Sequence, residues 1–165
     1  MRSFFYGALA GLAATMAMTS FMQRAHAKLP PGQRYPLPPR EIVDRTVGLE
    51  RESAARTATM FSHFGFGALA GALFALPAVS RMGGVAYGLG VWGASYLGWL
   101  PASRILAPAI RHPGRRNLLM LAAHVVWGAA LARSFEELNA AERAFGREAG
   151  EGKLPAERRE MEERP

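Results

Sequence analysis

The chain has 165 residues, half of them hydrophobic and a fifth charged, with a net charge of +7 and no cysteine. That length holds one domain, and the missing thiols exclude disulfides and thiolate metal sites. The basic residues border apolar runs, where each favours anionic lipid headgroups by about 1 kcal/mol, so no nucleic-acid partner is needed to explain them.

Charge is absent from 3–23, 57–80, 82–103 and 117–132. A helix rises about 1.5 Å per residue, so a hydrocarbon layer of about 30 Å takes about 20 residues to cross. The first three stretches have that length. The fourth is shorter, but Arg115, Arg116 and Arg133 can extend their head groups outward from its ends. None of the four carries the polar face that a soluble helix repeats every 3.6 residues. The expected fold is all-α, an integral membrane bundle of four transmembrane helices over about 4–22, 57–79, 83–102 and 117–133 within a domain 1–133.

In chain order, Arg2, the first apolar run and the triplet Ala25-His26-Ala27 imitate a cleavable signal peptide. The run exceeds the usual 7–15 residues of such a leader, so a retained helix is expected. Next comes a proline-rich loop with Pro30, Pro31, Pro36, Pro38 and Pro39, a density that predicts extended polyproline II backbone. Pro36, Pro38, Pro39 and Arg40 form its candidate interaction motif. Ile42, Val43, Val47 and Leu49 then predict either a short helix at the membrane surface, with Arg40, Arg45 and Arg51 toward headgroups, or a solvated linker.

Spans two and three are separated by little more than Arg81, Gly83 and Gly84, which predicts a tight hairpin, and Pro101 closes the third. The following loop holds Arg104, Arg111, Arg115 and Arg116 and no acid. Ser134 followed by Glu137 fits a capping box that starts a separate charged helix, with Gly150 and Gly152 stopping it before a weakly ordered tail, all within 134–165. Lys and Arg are concentrated in the two long loops, which the positive-inside rule places in the cytoplasm with both termini outside.

Small residues four apart recur as Gly7 and Gly11, Gly67 and Gly71, Gly84 and Gly88, and Gly128 with Ala132. That spacing makes a groove on one helix face, so these glycines are the expected packing surfaces. His63 and His124 sit inside spans, and an intramembrane ionisable group is a functional candidate by default. Three readings stand open for them. Each imidazole bonds a neighbouring helix, through Thr59, Ser62 or Ser95; the two form a proton or ion relay; or they ligate a b-type haem. Tyr6-Gly7 in span one is echoed by Tyr87-Gly88 in span three, as a duplicated hairpin would be. No catalytic set or metal site is expected, because the spans hold no carboxylate and no serine has a recognisable base.

The segment Pro36-Leu37-Pro38-Pro39-Arg40-Glu41-Ile42-Val43-Asp44 after a first apolar helix, His63 before a Gly/Ala-rich run, and His124-Val125-Val126-Trp127 together resemble the YagU-like family of uncharacterised bacterial inner-membrane proteins. The resemblance reaches about Arg133. It implies a multi-pass bacterial cytoplasmic-membrane location and transfers no catalytic residue. The expected role is an accessory or structural membrane component without enzymatic turnover or cofactor, binding lipids, another membrane protein or further copies of itself. The alternative is a small transporter, proton relay or haem-binding redox component using His63 and His124.

Overall fold

The computed structural model describes residues 1–29 and 37–151, and Pro36 of the proline motif lies outside them. Among the described residues the chain is all-helical, with no strand. Helix α1 spans Arg2–Ala27, α2 Pro38–Thr46, α3 Glu52–Phe74 and α4 Pro77–Ser80. Helix α5 spans Gly84–Gly93 and continues as a π-helical segment, Ala94–Trp99, into the single turn α6, Leu100–Ala102. A 3₁₀ turn at Ala109–Arg111 precedes α7, Gly114–Glu151.

Several boundaries differ from those read in the sequence. Pro38 and Pro39 occupy the first turn of α2 instead of an extended segment, because proline's fixed φ suits a position whose N–H would have no helical partner. Proline likewise opens α4 at Pro77, so α3 stops at Phe74 and the second apolar stretch is divided. The turn into α5 passes through Gly83 at φ +78°, a conformation that glycine adopts without steric cost. The third stretch is also divided, with Gly98 at φ −106°, ψ −106° inside the π-helical segment.

The expected cap at Ser134 is absent. Ser134 lies in the interior of α7, where the helix runs unbroken past Arg133, whose guanidinium pairs with Glu137 one turn on at 2.8 Å. Gly150 lies inside that helix as well, and Gly152 lies outside the described residues. Two helices, α1 and α7, are long and apolar enough to cross a membrane.

Helix α1 packs against α3 on one side and α7 on the other, and α7 packs against α5. At the glycines the α1–α3 and α5–α7 contacts are backbone on backbone. A methyl group at Gly7 would strike the Gly71 carbonyl, and one at Gly11 the Gly67 carbonyl. A methyl at Gly84 would strike the Gly128 carbonyl, and one at Gly88 the His124 carbonyl. Both pairs are antiparallel. Their register matches Gly7 with Gly84 and Gly11 with Gly88, one turn away from the Tyr-Gly echo in the sequence.

Leu100, Met120, Trp127, Leu131 and Phe74 are buried between the helices, yet many other large apolar side chains face outward. Ala10, Ala14, Ala55 and Ala123 are fully buried. Phe61 is 76% exposed, Leu69 70% and Leu118 68%, with Phe5, Met16, Leu73, Leu89 and Leu97 also facing outward.

The glycine contacts make a graded prediction. Gly71→Ala or Gly128→Ala should destabilise the bundle by about 1–3 kcal/mol, the usual cost of overpacking a tight interface. Gly65→Ala and Gly90→Ala, whose methyl groups would enter open space, should be neutral or stabilising by up to about 1 kcal/mol through helix propensity. Midpoints of unfolding in mixed detergent micelles check both. Equal effects at the four sites would contradict the packing described.

Candidate functional site: a cavity beneath helix α2

Away from the glycine contacts, α1, α3, α5 and α7 enclose a cavity of about 260 Å³ that holds His63 and His124 in its wall. Helix α1 contributes Thr15, Met18 and Met22, and α7 contributes Met120 and Trp127. The π-helical segment turns Ser95, Tyr96 and Trp99 toward it. A π-helical turn adds a residue to the helical repeat, and such bulges are frequent at functional sites. Among the described residues no Asp, Glu, Lys or Arg lines the cavity.

The two histidines line the same cavity. His124 Nδ1 lies 2.8 Å from the Met120 carbonyl one turn back in its own helix. A carbonyl only accepts, so Nδ1 carries the proton and Nε2 of the neutral ring holds a lone pair. His63 Nε2 is buried without a hydrogen-bond partner. The hydroxyls considered as partners on neighbouring helices are engaged elsewhere. Thr59 donates to Ala55 at 2.7 Å, Ser62 donates to Thr59 at 3.2 Å, and Ser95 accepts from the Trp99 indole at 3.3 Å. Across helices, the Trp127 indole donates to Thr15 at 3.1 Å, and Thr15 donates to the Gly11 carbonyl at 2.7 Å.

Helix α2 covers one end, where Pro38, Pro39 and Ile42 form part of the cavity wall. Val43 is buried beneath it. Its charges are paired within the protein. Arg40 binds Asp44 at 2.8 Å and makes a two-pronged contact with Glu52 at 3.0 and 2.8 Å. Arg45 binds Glu41 at 2.8 Å and donates to the Ile105 carbonyl at 3.0 Å. Glu41 also meets Arg116 at 2.6 Å, with side-chain exposures of 15% and 9%. Arg116, grouped by sequence with the basic loop, is therefore a nearly buried anchor of α2 on α7.

Of the sequence candidates, the structure brings together His63, His124, Pro38, Pro39 and Gly67 around the cavity. The remaining glycines form helix contacts, and Arg40 lies on the outer side of α2. Thr15, Met120, Tyr96, Trp99 and Trp127 carried no sequence signal that joined them. The nearest to one is Trp92, Tyr96 and Trp99, which share a helical face around Ser95. Among the described residues no cluster of three or more His, Cys, Asp or Glu side chains is placed to hold a metal.

Arg40 and Arg56 hold the Glu52 carboxyl down to about 2 by hydrogen bonding, against an ordinary value of 4.5. A depressed carboxyl stabilises the folded form above its unfolded value. The bridge to α2 therefore persists from neutral pH down to about pH 4.5 and is lost as pH falls through about 2. The ¹³C shift of the Glu52 carboxyl should report this midpoint, and Arg40→Gln should raise it toward 4.5. An unmoved midpoint would contradict the pairing.

No protein-family model, curated protein or solved structure matches this chain.

Proposed function

We propose that the chain is an integral membrane protein in which α1, α3, α5 with its π-helical continuation, and α7 span the bilayer, and that it acts by binding and not by turnover. One observation carries this reading: large apolar side chains, Phe5, Leu69, Leu97 and Leu118 among them, face outward on all four of these segments, while glycines bring α1 against α3 and α5 against α7. Soluble monomers rarely expose contiguous apolar patches beyond a few hundred Å². In lipid the same arrangement is favourable, because tails solvate Leu and Phe and helices associate through close packing of small residues. A location in the bacterial cytoplasmic membrane follows from the resemblance of segment 36–44 to the YagU-like family, and within that setting the protein serves as an accessory component whose partners are lipids or another membrane protein.

A transporter or proton relay built on His63 and His124 is the second reading, favoured by their meeting in one cavity. The haem version is disfavoured by size. A cavity of about 150 Å³ encloses benzene, so one of about 260 Å³ takes about two rings, fewer than a porphyrin has.

The membrane reading is tested by fractionation of cells expressing the full chain. The protein should stay in the pellet after alkaline carbonate and become monodisperse only in detergent. A monodisperse species in plain buffer after a high-speed spin would overturn it.

A further inference from the structure

We infer that the cavity is a binding site for a lipid-soluble, neutral aromatic molecule of one or two rings bearing a hydroxyl group, held by hydrogen bonding to the histidine wall. The inference rests on the membrane reading above, since such a ligand arrives through lipid.

Four features select this class. The volume of about 260 Å³ takes about two rings, judged against the benzene-sized cavity of about 150 Å³. The wall is aromatic and thioether in character, with Trp99, Trp127, Met18 and Met120, surfaces that favour a flat, polarisable ring. Among the described residues the wall holds no Asp, Glu, Lys or Arg, so an ionic ligand would meet no counter-charge from them. The decisive feature is the polarity of the His124 ring, whose Nε2 is left as an acceptor by the bond from Nδ1 to Met120. An imidazole lone pair in an apolar wall calls for a donor, and a phenolic hydroxyl supplies one without bringing charge.

A ring with one hydroxyl satisfies His124, while His63 Nε2 is closed off from the cavity surface.

The test uses the full-length protein in lipid nanodiscs, with ¹⁵N-labelled histidine and tryptophan, titrated with 2-naphthol and separately with naphthalene. The two probes share size and shape and differ in the hydroxyl. With 2-naphthol, the unprotonated ring-nitrogen resonance of His124 should move upfield and saturate. The dissociation constant, read from the Trp99 and Trp127 indole signals, should be about fivefold lower for 2-naphthol than for naphthalene, the factor one hydrogen bond supplies. His124→Asn should remove that preference while leaving an amide to bond the Met120 carbonyl, as Asn139 bonds Phe135 in the same helix at 2.7 Å. Val91→Trp, which fills the cavity from α5, should abolish binding of both probes. Equal affinity for the two probes would mean an apolar void open to lipid tails and would overturn the inference, as would failure of either probe to saturate. Failure of the membrane reading shows separately, as solubility without detergent.

Discussion

The molecule depends on the close approach of backbones at two antiparallel interfaces, Gly7 and Gly11 against Gly71 and Gly67, and Gly84 and Gly88 against Gly128 and His124. At these points helix meets helix without intervening side chains. The close approach maximises dispersion contacts between the two backbones at each interface. Where the glycines end, the helices must separate. Beyond Gly11 and Gly67 the facing positions are Thr15, Met18, Met22, His63 and Ser62, and that is where the cavity begins. The π-helical segment at Ala94–Trp99 widens the same end from the other side.

An opening at the end of a helix bundle exposes polar wall groups unless something covers it, and α2 does so. Its seat is electrostatic at the rim and apolar beneath. Glu41 to Arg116 ties it to α7, Arg40 to Glu52 ties it to α3, and Pro38, Pro39 and Ile42 meet the cavity. The nearly buried Glu41–Arg116 contact fixes position more than it adds stability, because taking two charges out of water cancels much of their attraction. A basic and acidic loop thus becomes a cover for an uncharged site, which separates the charge chemistry of the surface from the hydrogen-bonding chemistry inside.

The helical class was readable in the sequence because long uncharged runs admit few alternatives, and the four-residue glycine spacing marks faces that meet. What was not readable follows from non-local physics. Spacing alone cannot state that Gly7 opposes Gly71, since every glycine groove accepts every other. Nor does any local propensity announce a π-helical turn at Ala94–Trp99, which reflects the fit of Tyr96 and Trp99 against α7 and the cavity. Pro38 and Pro39 read as extended chain because proline density is ambiguous between polyproline II and a helix start, and Glu41, Arg45 and Val43 decide it through contacts made later in the fold. For the histidines, sequence gave residue type and depth. The direction of the His124 bond, back to Met120 in its own helix, is what leaves Nε2 with the lone pair.

The central claim is that lipid, not water, surrounds the outward-facing Leu and Phe side chains. A chain without cysteine allows it to be measured directly, with single nitroxide-labelled cysteines at Leu69, Leu97 and Leu118 in bilayers and a fourth at Phe145 near the end of α7. The account predicts frequent collision of the first three labels with dissolved oxygen and little with a water-soluble nickel chelate, while the label at Phe145 shows the reverse. Equal access of the chelate to all four labels would contradict it.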